Sequence, residues 1–107
     1  MEHTKNIPDC PVEMPLQLIG DKWKVLIIRD LLTGTKRFNE LMRSVSGITQ
    51  KVLTSHLRAM EKNGLVTRTV YPEVPPKVEY TLTGTGYSLK PILDSMYTWG
   101  NEYKSGL

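Results

Sequence analysis

Apolar positions recur at helical spacing over most of the chain and switch to strand-like patterning once, between Leu65 and Leu82. Val12, Leu16 and Ile19 predict a first helix that turns them inward. It starts near Asp9 or Cys10 with Pro11 at its first position, or three or four residues later because of Pro15. Gly20 breaks it. Asp21 caps a second helix, whose face is traced by Trp23, Leu26, Ile27, Asp30 and Leu31, and Gly34 closes it. Thr35–Arg37 leaves room for a short strand. Phe38, Leu41, Met42 and Val45 then predict a helix of about two turns. After a turn at Ser46-Gly47, Thr49 caps a longer helix carrying Val52, Leu53, Leu57 and Met60, and Asn63-Gly64 ends it in a left-handed cap.

Leu65–Tyr71, rich in Val, Thr and Tyr, predicts a strand, and Lys77–Leu82 alternates as a second. Between them Pro72–Pro76 is a loop, because its three prolines cannot donate to a ladder. The two strands form a hairpin. From Thr83 to Tyr103 the pattern is helical again, with Leu89, Leu93, Met96, Tyr97, Trp99 and Tyr103 apolar or aromatic. Pro91 either kinks that helix or marks its true start. Residues 1–9 are polar and read as frayed. The fold class is mainly α with a small β-hairpin (α+β): one domain over residues 1–107, a helix-turn-helix with a wing and extra helices at both chain ends.

A chain of 107 residues gains little from its own core, so sharing a core with a second copy is expected. Leu93, Met96, Trp99 and Tyr103 recur at helical spacing on the last helix. They are expected to pack with Leu16 against the N-terminal helix of a partner. The single cysteine, Cys10, excludes an intrachain disulfide and fits a cytoplasmic protein. No apolar run reaches membrane-spanning length, and no membrane partner is expected. The net charge of +3 gains meaning from where it sits. Lys36 to Tyr80 carries eight cations against four carboxylates, a balance of +4, while the rest of the chain is −1. The basic excess lies in the middle, as expected of a face that meets phosphate.

The unit from Phe38 to Asn63 is a short helix, a tight turn and a longer helix. Such a pair holds its second helix at an angle that enters a major groove about 12 Å wide. On a helical wheel starting at Gln50, Gln50, Lys51, Thr54, Ser55 and Arg58 fall between roughly 0° and 140°. Val52, Leu53, Leu57, Ala59 and Met60 fall between roughly 180° and 340°. The outward face is therefore an amide, two hydroxyls and two cations, uninterrupted by carboxylate before Glu61. These groups suit double-stranded DNA: Gln50, Thr54 and Ser55 for base edges, Lys51 and Arg58 for phosphates. Arg68 and Lys77 near the hairpin base extend the phosphate set, with Arg37 and Arg43 as weaker members. Glu73 at the hairpin tip favours instead an ordinary surface hairpin.

The sequence resembles the HxlR family of bacterial winged helix-turn-helix regulators. The matching stretches include Cys10-Pro11-Val12, Ile19-Gly20-Asp21-Lys22-Trp23-Lys24, Lys36-Arg37-Phe38-Asn39-Glu40-Leu41 and Gly47-Ile48-Thr49-Gln50-Lys51-Val52-Leu53-Thr54. The wing stretch Tyr71-Pro72-Glu73-Val74-Pro75-Pro76-Lys77-Val78-Glu79-Tyr80 is the most specific. The likeness spans nearly the whole chain; Met14-Pro15 departs from it, where the family continues a helix. The resemblance implies a homodimer held by the N- and C-terminal helices, bound to a near-palindromic operator. It also implies a sensing role for Cys10 toward oxidants, quinones or aldehydes, since a helix N-terminus favours the reactive thiolate. Asp9 beside it opposes that charge, and the alternative is an unreactive structural thiol.

Trp23 and Trp99 are expected as core or interface anchors. His56, near 240° on the wheel, is a packing residue rather than a base reader. His3 reads as part of the frayed start. Two separated histidines and one cysteine make no metal site, and no cofactor is expected. Gly84-Thr85-Gly86 lacks the third glycine of a dinucleotide loop and marks the start of the last helix. No nucleophile with its base, carboxylate pair or phosphate loop is present, so the chain is not read as an enzyme. The remaining alternative is a winged-helix interaction module without specific DNA binding.

Overall fold

A computed structural model describes residues 9–106. The expectations for residues 1–8, His3 among them, lie outside the described residues. The order is α1 (Glu13–Ile19), α2 (Lys22–Leu31), β1 (Lys36–Arg37), α3 (Phe38–Ser44), α4 (Gln50–Lys62), β2 (Val66–Tyr71), β3 (Lys77–Leu82), α5 (Gly84–Tyr87) and α6 (Lys90–Lys104). The fold is α+β, a helix-turn-helix carrying a wing. The strands form one antiparallel sheet in the order β1-β3-β2. The short strand at Lys36–Arg37 is real, with Lys36 opposite Tyr80 and Arg37 opposite Glu79.

The first helix begins at Glu13 rather than at Asp9 or Cys10. Pro15 is the reason: it lacks an N–H, and only the first turn of a helix tolerates that loss. Cys10 and Pro11 instead accept turn hydrogen bonds from the backbone N–H groups of Glu13 and Met14, at 2.9 and 3.2 Å. Of the three residues expected inward, only Ile19 is buried; Val12 and Leu16 are exposed.

Asp21 caps α2, its Oδ1 accepting the Lys24 N–H at 3.0 Å. Asp30 is the polar residue on the inner face of α2. It receives the Arg29 Nε–H and the Ser44 hydroxyl, and so ties α2 to the end of α3. Ile27, Ile28, Leu31, Leu41, Leu53, Leu57 and Met60 form the fully enclosed centre where α2, α3 and α4 meet. Burying each such side chain stabilises the fold by about 1.5–3 kcal/mol before conformational entropy is counted.

Helix α4 stops in the expected left-handed cap. Gly64 has φ +76°, the Leu65 N–H reaches the Met60 carbonyl at 2.9 Å and the Gly64 N–H reaches Glu61 at 3.1 Å. This reciprocal pair satisfies two end carbonyls and turns the chain into β2. The stretch from Thr83 to Tyr103 is two helices, not one. Thr83 caps α5, its Oγ1 accepting from the Gly86 N–H at 3.1 Å while its hydroxyl donates to the Gly64 carbonyl at 2.6 Å. Pro91 lies in the first turn of α6, where its missing N–H costs nothing. Among the described residues, no helix is long and apolar enough to cross a membrane.

Candidate nucleic-acid interface

The local sequence fixes how α4 is presented. The Thr49 hydroxyl accepts the Val52 N–H at 3.2 Å and starts the helix at Gln50. Leu53, Leu57 and Met60 are buried, with Val52 packed beside them, and this anchors the apolar side. The opposite side faces outward. Gln50, Lys51, Ser55 and Arg58 are exposed and Thr54 is half-buried. Lys51, Arg58 and Arg68 have no ion-pair partner among the described residues. His56 turns toward α2, its Nε2 lying 3.3 Å from Asp21 Oδ2. It is a tether, away from the outward face.

Arg58 and Arg68 come from different elements but share one cleft of about 260 Å³ with Thr54, Glu61 and Tyr80. Position 68 reaches it because Arg68 stands opposite Tyr80 in the β2–β3 register. A second cleft, about 480 Å³, is lined by Arg37, Asn39, Glu40, Arg43 and Glu79. It exists because β1 pairs with β3 and brings the start of α3 against the wing. The Glu40 carboxylate accepts the Arg37 N–H at 2.7 Å and holds that helix start. Asn39 is an addition to the residues expected here; its place in the cleft follows from strand pairing, which no local pattern announces.

The wing differs from a bare cationic hairpin. Lys77 Nζ lies 3.8 Å from Glu73 Oε2, 4.0 Å from Glu79 Oε2 and 4.4 Å from the centre of the Tyr71 ring. The Glu79 carboxylate accepts the Tyr71 phenol and adds its negative charge, so the phenol pKa is raised above its ordinary 10.0.

At the chain ends, Val12, Leu16, Ile19, Val25, Leu26, Ile92 and Met96 line an apolar groove of about 490 Å³ between α1, α2 and α6. Met96, Trp99 and Tyr103 are exposed on α6, and the last two rings stack at 5.1 Å. Leu93, expected on that stripe, turns into its own core at 8% exposure. Ile92 takes a place in the groove that the apolar pattern of α6 did not assign to it; its spacing of four from Met96 was the available signal. Trp23 is half-buried against the core, whereas Trp99 is exposed. Cys10 is exposed, just ahead of α1. Among the described residues, no group of His, Cys, Asp or Glu is placed to hold a metal.

The profile of the HxlR-like helix-turn-helix family matches residues 18–106. The chain belongs to that family. Its members among the relatives are transcriptional regulators, not enzymes, and this chain is a regulator of helix-turn-helix type. It is 48% identical over 95 residues to the HTH-type transcriptional regulator YdeP of Bacillus subtilis, covering 89% of this chain and 74% of that protein. Its fold is similar to the redox regulator HypR in its reduced form, with a TM-score of 0.84, 47% identity and coverage of 89% and 94%. It is similar as well to the reduced form of the regulator YodB of B. subtilis, with a TM-score of 0.77, 39% identity and coverage of 90% and 95%. In this HxlR-like regulator α4 packs on β2 of the wing, and the apolar groove lies between α1, α2 and α6.

Proposed function

We propose that this HxlR-like regulator binds a near-palindromic DNA operator as a cytoplasmic homodimer, inserting α4 into the major groove. One observation carries the reading. The outward side of α4 presents an amide, two hydroxyls and two unpaired cations, while its other side is locked into the core. Gln50, Thr54 and Ser55 read base edges, and Lys51, Arg58 and Arg68 neutralise phosphates. Arg37 and Arg43 flank them from β1 and α3; Lys77, assigned to phosphate from the sequence, lies instead beside Glu73 and Glu79. The apolar groove and the α6 stripe of Met96, Trp99 and Tyr103, joined by Leu16, receive the second copy, with Leu93 supporting the stripe from beneath.

Cys10 is proposed as the point at which a thiol-reactive effector acts. HypR is described as a redox regulator with reduced and oxidised forms, and YodB as having a diamide-treated form. In this chain Cys10 is exposed and two residues from Val12, which lines the groove. Modification there alters how two subunits seat against each other. With one cysteine per chain, the available chemistry is alkylation, a mixed disulfide with a small thiol, or a bond between subunits.

The test is a titration of promoter fragments at several salt concentrations. The reading predicts specific binding whose logarithm falls linearly with that of salt, with Arg58→Ala and Arg68→Ala each lowering the slope by roughly one. Unchanged slopes in both variants overturn it and leave the interaction-module alternative.

A further inference from the structure

We infer that Lys77 is a positioning residue of the wing: it bridges Glu73 and Glu79 over the Tyr71 ring, so the tip of the wing reaches DNA with a pre-shaped stem and no free cation. The inference rests on the proposed docking of α4 and changes what the wing contributes to it.

Three observations support it. Tyr71 and Lys77 are the last paired residues of the β2–β3 ladder, next to the loop. A contact between those two side chains therefore closes the loop itself. Lys77 has only 24% of its side chain exposed, with Glu73 at 55% and Glu79 at 25%. Its ammonium thus has one carboxylate from the loop, one from its own strand and an aromatic face from the opposite strand. A cation partly removed from water and engaged on three sides loses those contacts if it turns to a phosphate.

The charge pattern points the same way. Lys77 is the only cation between Thr69 and Leu89. Once it is engaged, the tip consists of Pro72, Glu73, Val74, Pro75 and Pro76, all exposed, with Val74 at 100%. That surface is apolar with one carboxylate, suited to lie against sugars and groove walls rather than to neutralise phosphate. Arg58 and Arg68, unpaired and in one cleft, carry the phosphate load at the junction of helix and wing.

The two roles give different salt dependences. Operator binding is measured against salt for the wild type, Lys77→Met, Lys77→Arg, Arg58→Ala and Arg68→Ala. Positioning predicts that Lys77→Met weakens binding by roughly two- to five-fold at every salt concentration with the slope unchanged. Lys77→Arg, which keeps the charge and can still lie over Tyr71, restores affinity. A slope lower by roughly one in Lys77→Met shows a phosphate contact and overturns the inference. So does a variant that binds as tightly as wild type. The arginine variants report on the docking itself: if their slopes do not move, the α4 reading fails and not the role of Lys77. A measurement without DNA keeps the inference falsifiable in that event. Amide exchange at Glu73, whose N–H donates to the Tyr71 carbonyl at 2.8 Å, speeds up in Lys77→Met while the unfolding midpoint stays put. Unchanged exchange overturns the inference; so does an equal loosening of the whole molecule.

Discussion

Asp21 and His56 join the entry of α2 to the middle of α4, with Oδ2 lying 3.3 Å from Nε2. The other oxygen of the same carboxylate caps α2. The orientation of the proposed recognition helix is thereby coupled to the start of α2. Asp21→Ala removes both contacts and lowers the unfolding free energy by about 1–2 kcal/mol, whereas Asp21→Asn keeps a capping oxygen and loses less. Urea unfolding of the two variants checks the order. Because His56 is turned away from the outward face, His56→Ala leaves base preference at every operator position as it was.

Gly86 is a close-approach position. A methyl group there meets the Leu65 carbonyl oxygen at 2.3 Å, a backbone atom that cannot swing aside. Gly86→Ala therefore lowers stability by about 1–3 kcal/mol. At Gly84 a methyl group meets open space, and Gly84→Ala changes stability by less than about 1 kcal/mol. The difference between the two urea midpoints checks the packing of α5 against Leu65 and Leu82.

The outline of the fold was legible in the sequence because its signals are local. Thr49, Asp21 and Asn63-Gly64 mark helix ends by bonds within a turn of themselves. The outward side of α4 was legible for a similar reason, since one helix face obeys one period. Pro15 and Pro91 each left two starts open, and in both cases the start that puts proline in the first turn is the one adopted. The role of Leu16 was less legible: hydrophobicity shows that a residue seeks cover but not whose. The engagement of Lys77 was not legible at all. It depends on which residue of β2 stands opposite it, and a one-residue slip would put Tyr71 on the other face.

Base reading is expected to be separable from phosphate binding. Gln50→Ala, Thr54→Ala and Ser55→Ala each cost roughly 1–3 kcal/mol on the preferred operator wherever the side chain makes a good base contact, and relax preference at particular positions. Competition between the operator and single-base variants checks it. An equal loss on every sequence reassigns the residue to the backbone.

Assembly is expected to depend on the exposed side of α6. Met96→Asp and Trp99→Asp place charge on that stripe and raise the dimer dissociation constant at least about ten-fold, without loss of the monomer fold. Light scattering with circular dichroism reads both. A stable wild-type monomer at micromolar concentration would remove the dimer from the account.

The central claim, that α4 reads a specific operator from a two-fold dimer, is tested most directly by selection from a random duplex library, with the retained DNA sequenced. The account predicts enrichment of one near-palindrome whose half-site centres lie about 10–10.5 base pairs apart, with Gln50→Ala changing the enriched bases and Lys77→Met leaving them unchanged. Retained DNA no different in sequence from the starting library would contradict it.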